Sequence, residues 1–185
     1  MKTFKDHPEF KPNLSPHQIL KMGAFGGTYF RPIYSSVTKK HYKSEDVIKE
    51  YPKSWFKGID IEKMVTSSKY DKKVNKYGVK CGSELEDWEK SGWMHEQDPY
   101  GWFQWYCRFY QGRRDQKEDR RQIARWKKLA SDNGRFRKWL ITLIIKKDGS
   151  WNDESISPKI RQTLQHWAYQ LTKKDFDYEV DKRNE

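Results

Sequence analysis

The chain has 185 residues, enough for one domain of ordinary size with a real core. Only 35% of its residues are hydrophobic, yet 16% are aromatic, and a composition that rich in rings argues against intrinsic disorder. The net charge of +12, with a pI near 9.5, points to polyanions: nucleic acid, an acidic membrane surface or an acidic protein.

In chain order, residues 1–14 read as an irregular N-terminal arm. Leu14-Ser15-Pro16-His17-Gln18-Ile19 then announces a helix, with Ser15 as N-cap, Pro16 at N1 and Gln18 at N3. Leu14 and Ile19 complete a hydrophobic staple. Residues 23–43 read as a loop with extended pieces. Ser83 with Glu86 is a second capping box, opening a helix to about Lys90, and Asp98-Pro99 starts a third. That third helix carries Trp102, Trp105, Tyr106, Phe109 and Tyr110 at i, i+3, i+4, i+7 and i+8, one broad apolar face stopped by Gly112.

From Asp119 to about Ala130 a further helix turns Ile123, Trp126 and Ala130 inward and leaves Arg120, Arg121, Arg125, Lys127 and Lys128 around it. Ser131-Asp132-Asn133-Gly134 is a turn. Phe136, Trp139, Leu140, Leu143 and Ile144 resume the helical spacing as an inward face. After Ser157-Pro158, Ile160, Leu164, Trp167, Ala168 and Leu171 make the last amphipathic helix, and residues 173–185 read as a polar C-terminal tail. Period-two alternation is not sustained over several strands. The expected fold is therefore mainly α: a single compact helical domain over 15–172, with an irregular Gly-containing N-terminal region.

Charge is concentrated. Between Arg108 and Lys147 fourteen Lys/Arg face four Asp/Glu, a net +10. The cations placed at a nucleic-acid surface are Arg31, Arg108, Arg113, Arg114, Arg120, Arg121, Arg125, Lys127 and Lys128, which would displace counterions from phosphates. The competing reading is a solvated helical face, but only Asp115, Glu118 and Asp119 lie near enough to compensate it. A helix–turn–helix reader is rejected, because its second helix is nearly all apolar apart from Arg135, Arg137 and Lys138; a buried αα-hairpin fits better.

Two segments raise chemistry. Between Trp93 and Phe103 a polar loop holds His95, Glu96 and Asp98 between aromatic flanks, so Trp93, Tyr100, Trp102 and Phe103 are candidates to stack an extruded base. Asp98 is then the candidate catalytic carboxylate and His95 its neighbour, with Glu96 and Asp71 as substitutes. The plainer reading makes Asp98 an N-cap before Pro99 and His95 a surface residue. The helix–hairpin–helix signature of many glycosylases is missing. In Gly23–Pro32, glycines and Arg31 suggest an anion pocket, although the pattern is neither a P-loop nor a dinucleotide fingerprint, and Gly23 as a helix C-cap explains much of it.

Metal-ligand spacing is absent around Cys81, His95 and Cys107, so no metal and no cofactor is expected. The zinc deaminase signature is also missing, and His166 reads as packed or exposed rather than as a ligand. The longest apolar run, Leu140–Ile145, falls far short of the about 20 residues that span a bilayer. No secretory h-region follows Met1, and two cysteines make no disulfide framework, so a cytoplasmic or nuclear location is expected.

Two blocks carry a resemblance. One is Gly26-Gly27-Thr28-Tyr29-Phe30-Arg31-Pro32. The other runs from Asp98-Pro99-Tyr100-Gly101-Trp102-Phe103-Gln104-Trp105-Tyr106-Cys107-Arg108 through Tyr110-Gln111-Gly112-Arg113-Arg114 to Arg121-Gln122-Ile123-Ala124-Arg125-Trp126. With them the sequence resembles a widespread family of short basic proteins, over most of residues 15–172. The resemblance implies a self-contained domain; it implies no activity and no catalytic residue.

The functional expectation is a nucleic-acid-binding protein, DNA before RNA, with metal-free, base-flipping chemistry of DNA glycosylase type. The alternatives are a non-enzymatic DNA- or RNA-binding module, and a small-molecule enzyme with its anion pocket at Gly23–Pro32.

Overall fold

The computed structural model describes residues 2–185 and is mainly α, with one two-stranded sheet among the described residues. Packing divides the chain into two compact units. One is Pro16–Arg114; the other joins the stretch up to Ser15 with Asp115–Glu185.

In the first unit, α1 spans Pro16–Met22 and begins at the expected proline. β1 (Ile33–Ser35) and β2 (Lys40–Tyr42) form an antiparallel hairpin in the register Ile33 opposite Tyr42. Three short helices follow: α2 (Ser44–Ile48), α3 (Ile61–Met64) and α4 (Leu85–Lys90). The Ser83–Glu86 capping box does not form; Glu84 is the N-cap of α4 and its side chain makes no cap bond. α5 spans Trp102–Tyr110 and is buried almost all round, with Trp102–Cys107 and Phe109 in the core.

Asp98 does not cap α5. The helix starts after Gly101, whose φ of 102° puts it in a region that favours glycine. The cap comes from a distant tyrosine. The Tyr29 hydroxyl accepts from the Gln104 amide at 3.0 Å and donates to the Tyr100 carbonyl at 2.7 Å. The Tyr100 hydroxyl returns a bond to the Arg31 carbonyl at 2.8 Å. The Gly26–Pro32 segment and the start of α5 are thus hydrogen-bonded to each other.

In the second unit, the N-terminal stretch is irregular but is no free arm. Phe10 is buried and packs edge-on against Trp126 at 5.1 Å, with Phe4 stacked behind it at 5.5 Å. Asn13 pairs with the Gln170 backbone through two bonds of 2.7 and 2.8 Å. α6 (Gln116–Ala130) and α7 (Arg135–Lys146) form the expected αα-hairpin across Ser131–Gly134.

α7 is rotated from the face that its spacing suggested. Arg137 points inward, 3.2 Å from Asp175 and over the Tyr169 ring, whereas Trp139 points outward. α8 spans Pro158–His166. The residues expected to be a polar tail instead form α9, Lys173–Asn184. Thr172 caps it by accepting from the Asp175 amide, and a buried Glu179 accepts from Arg183 at 2.8 Å.

Candidate functional site

Asp98 lies at the end of a tight turn whose first residue is His95, just ahead of α5. Its side chain is completely buried. Arg113 grips it with two bonds, 2.8 Å to Oδ1 and 2.6 Å to Oδ2, and Arg108 adds a third at 3.0 Å. Arg108 also donates to the Gln97 carbonyl and forks onto Glu50 through bonds of 2.9 and 2.8 Å. Two cations and two acids therefore form one chain, Arg113–Asp98–Arg108–Glu50. Planar guanidinium forks suit this bidentate pairing, which a lysine does not reproduce.

The surroundings are dry and aromatic. Burial opposes the charge on Arg108, but Tyr51, Glu50 and Asp98 more than offset it, so its pKa moves up. Burial pushes Tyr29, Tyr51 and the Cys107 thiol well above their ordinary values. Cys107 is accordingly a packed thiol, not a thiolate nucleophile. The buried Tyr51 hydroxyl has no hydrogen-bond partner among the described residues.

These facts correct several sequence expectations. A carboxylate sealed from solvent and held by three guanidinium bonds is not placed to activate water, so the geometry removes the catalytic role given to Asp98. Asp71 is exposed and caps a separate turn, accepting from the Lys73 amide at 2.9 Å. Glu96 is exposed beside a half-buried His95, whose Nδ1 accepts from the Gln97 amide at 3.2 Å. Of the proposed stacking rings, Tyr100, Trp102 and Phe103 are core residues, and only Trp93 is exposed.

In the Gly23–Pro32 segment most backbone amides already have protein partners. The amides of Gly23, Gly27, Thr28, Phe30 and Arg31 all donate to protein carbonyls, and the Gly26 amide donates to Asn75 Oδ1 at 2.7 Å. These six N–H groups are therefore spent inside the protein. The glycines serve close packing instead. Gly23 and Gly27 have φ of +88° and +80°, and a Cβ on either would collide with the carbonyl oxygen of Val74 or Lys63. Arg31 folds back onto the Thr28 carbonyl at 3.1 Å.

The basic stretch separates into tied and untied cations. Arg108 and Arg113 are consumed by Asp98. Arg114 lies over the Phe109 ring at 3.8 Å and donates to two carbonyls. Within α6, Asp115 caps the helix by accepting from the Glu118 amide at 2.8 Å, and the buried Asp119 accepts from the Asp115 amide at 2.8 Å. Glu118, also buried, holds Arg121 at 2.6 Å and Gln122 at 2.9 Å. Arg125 bonds Gln122 at 2.9 Å and lies over the Trp167 ring.

What remains on α6 is Lys117, Arg120, Lys127 and Lys128, all exposed, at i, i+3, i+10 and i+11 on one side of the helix. No ion pair engages any of the four among the described residues. Lys117 was absent from the sequence-based set. Its place on the stripe is readable from helical spacing once the helix is started at Gln116 and not at Asp119.

Among the described residues, no group of three His, Cys, Asp or Glu side chains could hold a metal ion. No helix among them is long and apolar enough to cross a membrane. No family model, curated protein or solved structure matches the chain.

Proposed function

We propose that the protein binds nucleic acid by gripping backbone phosphates with the exposed face of α6, DNA being the first polymer to test. One observation carries the reading: α6 turns its three acids inward or into its own cap, and presents four unpaired cations outward. A helix sorted in this way has a positive face that its own side chains do not neutralise. Phosphate contacts of this kind fix position on the polymer without reading its sequence.

The test is a salt titration of binding by the full chain to labelled DNA, duplex and single-stranded. The logarithm of affinity should fall linearly with the logarithm of salt, by about 0.9 per phosphate contact for duplex and about 0.7 for single strands. Replacing Lys117, Arg120, Lys127 and Lys128 together by Gln should flatten that slope by roughly 3 to 4 on duplex. A variant that keeps the parent slope overturns the assignment of α6.

Base excision of DNA glycosylase type is a finer reading. Its support is the exposed Glu96 next to half-buried His95, with exposed Trp93 close by in sequence. On this reading Glu96, and not Asp98, activates water. Incubation with base-modified DNA followed by alkali reports it. Alkali-labile sites that disappear in Glu96→Gln support it, and none with the parent protein sinks it.

A further inference from the structure

α7 exposes an aromatic side chain where its sequence spacing predicted a buried one. Trp139 is 54% exposed. It stacks on Phe136 with ring centroids 6.3 Å apart and planes 17° from parallel, and the Arg135 guanidinium lies 4.9 Å from the centre of the Phe136 ring. Arg135, Phe136 and Trp139 thus form a short ladder of flat groups whose last member faces solvent.

The flanks of that ring are cationic. Arg135 at i−4 and Lys146 at i+7 share its side of the helix, and no Asp or Glu occurs anywhere in α7. At 3.6 residues per turn the other exposed apolar residue, Ile145, points roughly 120° away from Trp139. Beside the ring lie the half-buried Phe136 at i−3 and Leu143 at i+4, so the surface is a short patch centred on one exposed ring and ended by positive charges, not the long aliphatic face that enters a lipid interface. The turn at Ser131–Gly134 also sets the start of α7 at the same end of the hairpin as Lys127 and Lys128 of α6.

We infer that Trp139 is a stacking platform for an unpaired nucleobase, so the polymer held by α6 is single-stranded where it crosses the start of α7. This rests on α6 being the phosphate grip. A base laid on Trp139 extends the Arg135–Phe136–Trp139 ladder by one flat ring, and its flanking phosphates meet Arg135, Lys127 and Lys128. Stacking of this kind tolerates any base, since each offers a π-face.

The experiment compares three labelled probes of equal length with the full chain: an oligo-dT single strand, the same backbone made wholly of abasic sites, and a duplex. Trp139→Ala should weaken oligo-dT binding about tenfold or more, the size of one lost base–aromatic stack, and leave the abasic strand and the duplex unchanged. Trp139→Phe should recover much of the loss, which separates lost stacking from misfolding. An equal effect on oligo-dT and abasic strands, or none on either, overturns the inference. If the α6 Gln variant still loses abasic binding in that case, the phosphate grip stands alone. Failure of the parent protein to bind any of the three probes removes the phosphate grip and this inference together. A vesicle of anionic phospholipid is the fourth arm. Trp139-dependent binding there, with none to oligo-dT, assigns the ring to a membrane and overturns the nucleobase.

Discussion

Arg108–Arg114 and Lys117–Lys128 are neighbours in sequence and equally basic to the eye, yet they do opposite things. In the first, Asp98 reaches the guanidinium groups of Arg108 and Arg113 from inside the fold, and their charge is spent there. In the second, the acids bond to their own helix, and the charge on the outer face is left over. A cation's availability is set by the acid that folding brings to it, and counting residues along the chain does not reveal that acid.

The largest test of this contrast is Asp98→Ala. It strands Arg113 and leaves Arg108 only its fork onto Glu50 and its bond to the Gln97 carbonyl, and removing one partner of a buried pair costs about 3–5 kcal/mol. The low end applies here, because Arg108 and Arg113 retain 20% and 28% exposure through which water can help. Urea unfolding of the full chain measures it, and a loss below about 1 kcal/mol would mean that the cluster does not hold its segment. Arg113→Gln should also destabilise, while leaving the salt slope of DNA binding where it was.

A histidine extends the contrast to a group that stays uncharged. Desolvation lowers the pKa of His166, which keeps part of its surface exposed, to about 3 from its ordinary 6.5. As pH falls below 6.5 the unfolded chain takes up a proton that the folded chain refuses, so stability present above pH 6.5 drains away toward pH 3. For one such group the slope is at most about 1.4 kcal/mol per pH unit. His166→Gln should flatten the stability profile between pH 6 and 4; a profile identical to the parent's contradicts the assigned environment.

Glu118→Gln sharpens the comparison at a smaller scale. It should cost about 1–2 kcal/mol for a weakened charged hydrogen bond and release Arg121. A freed cation beside the outer face should steepen the salt slope on duplex by up to about 0.9. The smallest effect belongs to the Gln replacements at Lys117, Arg120, Lys127 and Lys128. Each should change stability by less than about 0.5 kcal/mol, although together they carry the proposed binding.

Much of the helical skeleton was legible in the sequence. Pro16 and the aromatic spacing of α5 announced their elements, because both signals are local. Asp98 was misread because its partners lie 10 and 15 residues further along the chain, and no periodic pattern reports that a turn will fold back on them. α9 was missed because Phe176, Tyr178 and Val180 do not line up as an apolar stripe; what holds the helix is the Thr172 cap and the Glu179–Arg183 pair. On α7 the spacing fitted two rotations of the helix. The choice between them was made by Asp175, which draws Arg137 inward and so turns Trp139 out.

The pairing of Asn13 with Gln170, 157 residues later, also bears on how the protein is made. On the ribosome, residues 16–114 emerge together and their unit can close early. The N-terminal stretch must wait beside it with Phe4 and Phe10 unburied until Trp126 and then Gln170 have been synthesised. At about 5–20 residues per second that is a delay of several seconds or more. For that interval two aromatic rings at the head of the chain are offered to chaperones, or to the same segment of another nascent chain, before their own partner exists.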